Sequence, residues 1–275
     1  MTLSVLMSVY YKEKPEYLHQ ALESIWDNQT LKPDEIILVE DGKLTVELYE
    51  IIEQWGEKLN GRLKRIPLPE NQGLAKALNT GIKYCSGEYI ARMDSDDISA
   101  SERFEKQTRF LKNNPDIDIL GSAIREFKDD FEESNIRYYP KTTEKAIGYI
   151  VKASPFAHPS VMFRRNIFDD GNIYPEKYNT SQDVALWFQL LKQGYSMTNL
   201  KDVLLYYRIS NDFYSRRSRA KAINEFKIYW NGIINLYGFT WKLIYPILRL
   251  GFRFSPKFIV RKIYTGRMRK NLNKI

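Results

Sequence analysis

The segment EYIARMDSDD at residues 88–97 contains a short apolar run that is followed directly by three carboxylates. A short apolar run bounded by turn residues is typical of a buried β-strand, so residues 88–93 are predicted to form one. In open α/β sheets, ligands bind outside the carboxyl ends of the strands. Asp94, Asp96 and Asp97 therefore mark a candidate binding site at the end of this strand.

The chain before this segment repeats one pattern, in which a strand is followed by a helix. Strands are predicted at residues 3–10, 35–39 and 63–67, and helices from residue 15 and at residues 44–59 and 74–84. This alternation indicates βαβ units with parallel strands and right-handed crossovers. The predicted fold class is therefore α/β, with a Rossmann-like, mainly parallel central sheet.

The pattern is looser after Pro115. Strands are predicted at residues 117–124, 160–164 and 203–207, and a helix at residues 181–192. Ser99 and Glu102 match a capping box, which predicts that the helix after the acidic segment begins there.

The composition excludes several kinds of site. A single cysteine, Cys85, excludes an internal disulfide and a Cys-rich zinc site, and two histidines exclude a multi-histidine metal centre. Residues 1–11 have no basic start and no long apolar run, so we expect no signal peptide. The uncharged stretch at residues 228–241 is too short to span a bilayer as a helix. We expect a reduced, intracellular protein that is soluble or peripheral to a membrane.

The formal net charge of +8 hides an acidic body and a basic tail. Residues 213–275, called the basic tail here, hold 15 Lys and Arg and one acid, Glu225, which gives +14 and leaves −6 for residues 1–212. The basic tail is also rich in aromatic residues. Basic and aromatic content together fits an anionic membrane surface or a nucleic acid. The acidic body and the lack of a nucleic-acid motif disfavour nucleic acid.

The basic tail is predicted to be helical and amphipathic. Lys242, Arg249 and Arg253 fall within about 40° of one another on an ideal helix, although Pro246 and Pro256 are predicted to interrupt it. This layout is typical of a segment that lies on an anionic membrane. The alternative is a helical cap that packs on the body and leaves its basic face to solvent.

Three carboxylates within four residues repel one another unless a counter-charge is present. A divalent cation supplies that charge, and Mg²⁺ or Mn²⁺ prefers oxygen ligands and keeps positions open for a diphosphate. The alternative for Asp94 to Asp97 is a polar turn that caps the next helix.

Two further segments fall at the ends of predicted strands. Asp41 follows the second strand and could reach a base or ribose, or it could be a turn residue. Asn71 begins a helix whose free amides could face a phosphate, or it could only cap that helix. Lys76 lies early in the same helix and could equally be a solvated lysine.

These segments together resemble the family 2 glycosyltransferases, which have the GT-A fold. The matching motifs are Ser8-Val9-Tyr10 with Glu13, Val39-Glu40-Asp41-Gly42, NQGLAKALNTG at residues 71–81, Asp94-Ser95-Asp96-Asp97, HPSVMF at residues 158–163 and Ser181-Gln182-Asp183. They cover roughly residues 2–210, and their order and spacing are specific. The resemblance is to the bacterial group that builds capsules, exopolysaccharides and O-antigens. It implies a GT-A catalytic domain at residues 1–212 with the basic tail as a helical extension.

The resemblance also implies roles for the matching residues. The expected contacts of the nucleotide sugar are Val9, Tyr10, Glu13, Asp41, Asn71, Lys76, Asp94 and Ser95. The expected ligands of Mn²⁺ or Mg²⁺ are Asp94, Asp96 and Asp97, and Asp183 is the expected general base. Family members often carry Glu before this Asp, where this chain has Gln182, so we expect Asp183 to act alone.

The implied reaction is an inverting, metal-dependent transfer of a sugar from a nucleotide-sugar donor, with UDP as the expected nucleotide, to a hydroxyl of a glycan acceptor. The leaving diphosphate gains charge that a cation stabilises, and the acceptor hydroxyl loses its proton to the base. The expected acceptor is linked to polyprenyl diphosphate in surface polysaccharide biosynthesis. The expected location is cytoplasmic, peripheral at the inner face of the cell membrane.

Two alternatives remain from the sequence. A nucleotidyltransferase also uses an α/β sheet with acidic metal ligands, but it would carry a Gly-rich, basic phosphate loop near the first strand, and residues 7–14 are not one. The second alternative is a non-catalytic, membrane-associated relative that keeps the fold.

Overall fold

One β-sheet runs through the protein, whose computed structural model describes residues 2–128, 135–209 and 219–254. The strands in these ranges are Leu3–Val9 (β1), Glu35–Glu40 (β2), Leu63–Pro67 (β3), Tyr89–Asp94 (β4), Ile98–Ser99 (β5), Ile119–Phe127 (β6), Asn135–Arg137 (β7), Met162–Arg164 (β8) and Met197–Arg208 (β9). Their order in the sheet is β3-β2-β1-β4-β8-β6-β9-β5, with β7 beside β6.

Helices cover both faces of this sheet. They are Pro15–Ile25 (α1), Val46–Leu59 (α2), Leu74–Ile82 (α3), Arg103–Asn113 (α4), Thr143–Ile150 (α5), Asn166–Asp169 (α6), Gln182–Gln193 (α7), Arg219–Tyr237 (α8) and Ile244–Phe254 (α9). Within the described ranges, no helix is both long enough and apolar enough to cross a membrane.

The first half of the sheet confirms the predicted βαβ arrangement. β1 lies between β2 and β4, β3 lies beyond β2, and these four strands are parallel. Val5 and Met7 of β1 belong to the apolar cluster that includes α1 and α2, whereas Leu6 belongs to the cluster on the opposite face with α3. Burial on both faces explains why β1 reads as a continuous apolar run without alternation.

The second half of the sheet is mixed. β8 is antiparallel to both β4 and β6, β6 is parallel to β9, and the short β5 is antiparallel to β9. β9 begins at Met197, six residues before the predicted start at residue 203. The additional residues pair with β6, although they are polar and show no apolar pattern. The predicted capping box is wrong, since Ser99 pairs with Leu205 of β9 and α4 begins at Arg103 without a side-chain cap.

The described part of the basic tail packs on the body. α8 lies against α7, where the Phe188 and Tyr229 rings meet edge to face at 5.8 Å. Arg249 and Arg253 of α9 each form an ion pair with Glu225 at 2.9 Å. Two of the three cations in the predicted basic stripe are therefore held by an acid on α8.

Pro246 does not interrupt the tail helix. It is the third residue of α9, and a proline is tolerated in the first helical turn because its missing N–H would have no helical partner there. Pro256 and the predicted boundary between residues 212 and 213 lie outside the described residues.

Gly42 allows the end of β2 to meet the loop before α3. Its φ of +83° is one that L side chains rarely adopt, and a Cβ there would lie 2.5 Å from the Asn71 backbone nitrogen. Gly61 has the same φ of +83°, but a Cβ there would meet nothing within 4 Å. These two positions separate the effect of backbone conformation from the effect of close packing.

We expect Gly61→Ala to lower the free energy of unfolding by about 1–2 kcal/mol, which is the strain of a left-handed conformation. Gly42→Ala should cost clearly more, because the same strain is added to a backbone collision that nearby side chains cannot relieve. Urea unfolding of both variants measures the difference. Equal losses in the two variants would show that the contact with Asn71 does not constrain the fold.

Candidate active site

The carboxyl ends of the parallel strands meet at one cleft of about 320 Å³. The residues lining it are Ser8, Tyr10, Glu13, Asp41, Asn71, Gly73, Leu74, Asp94, Ser95, Asp96, Tyr207 and Arg208. The cleft thus brings together residues from β1, β4 and β9, from the loops that follow β1, β2 and β4, and from the segment that leads into α3. Among the predicted site residues, it gathers Tyr10, Glu13, Asp41, Asn71, Asp94, Ser95 and Asp96.

The acidic cluster at the end of β4 is the strongest charge feature of the cleft. Asp94, Asp96 and Asp97 each offer a carboxylate oxygen, and these oxygens lie within 4.8 Å of one another. Burial, together with the charges of Asp94 and Glu13, raises the pKa of Asp96 from 3.8 to about 7. Burial and the charges of Asp96 and Asp94 also raise the pKa of Asp97 well above its usual value.

These residues fit a divalent cation. The Oδ1 atom of Asp97 accepts a hydrogen bond from the backbone N–H of Arg208 at 2.8 Å. The buried Oδ2 atom of Asp97 has no hydrogen-bond partner in the described chain. An unpaired, buried carboxylate oxygen beside two further carboxylates is a set of hard oxygen donors of the kind that Mg²⁺ and Mn²⁺ prefer.

Arg92 lies buried beneath the acidic cluster. Its Nη2 atom forms an ion pair with Asp94, while its buried Nε and Nη1 atoms have no hydrogen-bond partner among the residues described. Sequence reasoning missed Arg92 because it sits inside an apolar strand. A signal was available, since arginine is almost never fully buried without a partner.

Arg208 closes the cleft from the end of β9. Its Nε atom donates to the backbone carbonyl of Asp96 at 2.7 Å, and its guanidinium lies 3.9 Å from the centre of the Tyr17 ring. Sequence reasoning also missed Arg208, because only the pairing of β5 with β9 brings it to the acidic cluster.

The Asp41 carboxylate accepts its hydrogen bonds from the loop before α3. The donors are the backbone N–H groups of Gln72 at 2.7 Å and Gly73 at 3.0 Å, and the Asn71 side chain at 3.1 Å. The side chain is 4% exposed. Asp41 therefore holds the segment that forms one wall of the cleft.

Two predicted nucleotide-sugar contacts lie elsewhere. The Val9 side chain is buried in the core, and its backbone carbonyl accepts a hydrogen bond from the N–H of Asp41 at 2.8 Å. Lys76 is exposed and lines a neighbouring pocket of about 300 Å³, together with Asn71 and Glu176 among others. In contrast, Glu13 is inside the cleft and accepts a hydrogen bond from the Ser95 hydroxyl.

Asp183 is half-buried in the first turn of α7, two residues after Ser181, which has a left-handed φ of +57°. Burial raises the pKa of the Asp183 carboxyl, and the charge of Asp94 raises it further. The backbone amides of Val184 and Asp183 and the positive charge of Arg92 act in the opposite direction. Asp183 is not among the residues that line the 320 Å³ cleft, but it lies within electrostatic reach of both Arg92 and Asp94.

Known proteins are similar to this chain in sequence. The sequence model of glycosyl transferase family 2 matches residues 4–171. An amylovoran biosynthesis glycosyltransferase, AmsE of Erwinia amylovora, is 34% identical over 95% of this chain and 97% of its own. The UDP-Gal:alpha-D-GlcNAc-diphosphoundecaprenol beta-1,3-galactosyltransferase of Escherichia coli is 35% identical over 98% of this chain and 97% of its own.

The fold is also similar to that of a solved structure. Residues 1–349 of S. aureus TarS, crystallised in complex with UDP-GlcNAc, superpose with a TM-score of 0.67. The match covers 97% of this chain and 74% of that one, at 20% sequence identity, and so it bears on the fold alone. Together with the match to the family and to its full-length relatives, it identifies this chain as a member of glycosyl transferase family 2 with the GT-A fold.

Proposed function

We propose that this protein transfers a sugar, with inversion, from a UDP-sugar to a hydroxyl of a lipid-diphosphate-linked glycan during the assembly of a surface polysaccharide. The observation that carries the proposal is the placement of a carboxylate of raised pKa, Asp183, within electrostatic reach of the Asp94 cluster. The similar galactosyltransferase, named for UDP-Gal and a diphosphoundecaprenol-linked acceptor, supports the donor and acceptor classes.

The nucleotide-sugar donor would bind in the cleft. Asp94, Asp96 and Asp97 would hold Mg²⁺ or Mn²⁺, which when bound supplies Lewis-acid stabilisation of the leaving diphosphate. Tyr10 and Glu13 line the part of the cleft open to a nucleotide, and the loop held by Asp41 forms the wall beside them.

Asp183 would act on the acceptor as the general base. The acceptor oxygen forms a bond to the anomeric carbon as the bond from that carbon to the diphosphate oxygen breaks, and the hydroxyl proton passes to the Asp183 carboxylate. Direct attack needs no enzyme nucleophile and inverts the anomeric centre. A raised pKa favours this role, because a stronger base accepts a proton more readily near neutral pH.

We expect Asp183→Asn to lower the transfer rate by at least about 100-fold, because the acceptor proton then has no base. Binding of the UDP-sugar in the presence of Mn²⁺ should be unchanged. Product formation with a panel of nucleotide sugars and synthetic lipid-diphosphate glycans, with product anomers assigned by NMR, measures the rate and the stereochemistry. Asp116→Asn, at an exposed position, is the control. Wild-type rates for Asp183→Asn would rule out Asp183 as the base.

The affinity for Mn²⁺ should fall as the pH falls below about 7. The pKa of Asp96 is raised to about 7, so this carboxyl binds a proton below that pH, and the proton competes with the cation. Calorimetric titration of the protein with Mn²⁺ between about pH 6 and pH 8 checks the slope. An affinity that does not change across this range would contradict the assignment of Asp96 as a ligand.

We further propose that the protein binds the inner face of the membrane through α9 and the residues just before it. The large apolar side chains exposed there are Phe239, Trp241, Ile244, Ile247 and Leu248. Such side chains insert at the boundary between lipid headgroups and acyl chains, close to a lipid-linked acceptor. The ion pairs of Arg249 and Arg253 with Glu225 hold α9 against α8.

The double variant Ile247→Ser and Leu248→Ser should bind anionic vesicles at least about tenfold less than the wild type, because it removes two apolar contacts with the bilayer. Vesicle flotation measures the bound fraction. Val46→Ser is the matched control, since Val46 is 70% exposed on α2. If the double variant floats as well as the wild type, this surface does not bind the membrane.

A further inference from the structure

A second pocket, outside the acidic cleft, is strongly basic. Its volume is about 320 Å³, and it is lined by Tyr138, Tyr139, Lys141, Lys145 and Lys201. The three lysines come from the segment before α5, from the first turn of α5 and from β9. We call this cavity the lysine pocket.

The backbone that carries the lysine pocket is held by specific hydrogen bonds. The Thr198 hydroxyl donates to the backbone carbonyl of Lys141 at 2.7 Å, which ties the segment before α5 to β9. The backbone N–H of Met197 donates to the Thr143 hydroxyl at 2.9 Å, which ties the start of α5 to the same strand. Lys141 and Lys145 are therefore kept beside Lys201 by the architecture.

Acids in the described residues do not balance the charge of the lysine pocket. In the part of the chain that the structure describes, no carboxylate forms an ion pair with Lys141, Lys145 or Lys201. Asp202, the neighbour of Lys201, pairs instead with Lys106 at 2.8 Å. Close contact with Lys201, desolvation and the charges of Lys201 and Lys145 lower the pKa of Lys141. Converging cations without an ion-pair partner among the described residues favour the binding of a polyanion.

One wall of the lysine pocket lies within electrostatic reach of the candidate base. Tyr139 forms part of its wall, and burial raises the pKa of Tyr139 to about 12, with a contribution from the charge of Asp183. The wall formed by Tyr139 is therefore a part of the pocket that lies within electrostatic reach of Asp183. An acceptor needs this arrangement, because its hydroxyl must reach the base while the rest of it stays outside the donor cleft.

The lysine pocket is also connected to the basic tail. α5 runs from Lys145 towards Lys152, a span of about 10 Å at the rise of an α-helix. At Lys152 the tail helix packs on the body, since Arg249 donates to the Lys152 carbonyl at 3.0 Å and the Tyr245 ring centre lies 5.7 Å from the Lys152 ammonium. A lipid chain attached to the anion would thus leave the pocket towards the exposed apolar residues of α9.

We propose that Lys141, Lys145 and Lys201 bind the diphosphate of the lipid-linked acceptor, at a subsite separate from the donor diphosphate beside Asp94. The inference rests on the proposed function for the identity of the acceptor. The lysines discriminate by charge and by hydrogen bonding to phosphate oxygens, so they select diphosphate-linked glycans over the same glycans on a neutral aglycone.

The test compares two acceptors that carry one glycan, one linked through a short-chain alkyl diphosphate and the other through a neutral alkyl group. Lys145→Gln combined with Lys201→Gln should lower the preference for the diphosphate acceptor, expressed as the ratio of kcat/KM values, by at least about tenfold. Lys83→Gln, at an exposed lysine outside the lysine pocket, should leave the ratio unchanged. An unchanged ratio in the double variant would overturn the proposal.

A binding measurement separates this proposal from the proposed reaction. Calorimetric titration with the alkyl-diphosphate glycan, without donor and without metal, should show affinity at least about tenfold weaker for the double variant than for the wild type. This result would support the subsite even if no nucleotide sugar gave a product. Equal affinity in the two proteins would overturn it.

A third arm separates the acceptor diphosphate from phosphate groups of the bilayer. Vesicles that contain anionic phospholipid are floated with the wild type and with the double variant. The proposal expects weaker diphosphate binding by the double variant in solution, where no vesicle is present. Loss of vesicle binding with unchanged binding of the soluble diphosphate would overturn it, because the lysines would then contact lipid headgroups.

Discussion

Repulsion between carboxylates at the end of β4 is the constraint around which the site is organised. Asp94, Asp96 and Asp97 crowd together at the edge of the sheet, and Glu13 adds a fourth negative charge close by. Arg92 offsets part of this charge through its ion pair with Asp94. Burial, together with the remaining repulsion, keeps the pKa of Asp96 at about 7, so the site favours either a proton or a cation. A site of this kind suits a reaction in which a diphosphate departs with extra negative charge.

The cleft is lined by residues from both halves of the sheet. The parallel strands deliver the acidic cluster, the wall held by Asp41 and the buried Arg92 that pairs with Asp94. β9 crosses to β5 and places Arg208 against Asp96 and Asp97. The same strand, at its other end, holds the lysine pocket against α5. One strand therefore connects the proposed donor cleft with the proposed acceptor subsite.

The structure of the basic tail has features of both alternatives, the helical cap and the membrane-binding segment. α8 packs on α7 of the body, as a helical cap would, but Arg249 and Arg253 of α9 face Glu225 of the same tail rather than solvent. Ile247 and Leu248 remain 48% and 62% exposed on the same helix, which supports the proposed contact with a membrane. A helix can serve both purposes because its opposite faces meet different surroundings.

Local patterns in the sequence were sufficient for the βαβ order, the acidic cluster and the position of Asp183 at a helix start, because apolar periodicity and turn residues act over a few positions. The same reasoning failed at Ser99 and at the start of β9, where pairing between distant segments outweighs local preference. Arg208, Arg92 and the lysine pocket have no local signature of function. Their positions depend on which strands become neighbours. Their chemistry depends on which acids of the described residues lie close enough to form ion pairs with them. The sequence determined the fold class and the acidic chemistry of the site, and only the tertiary structure decided which cations complete it.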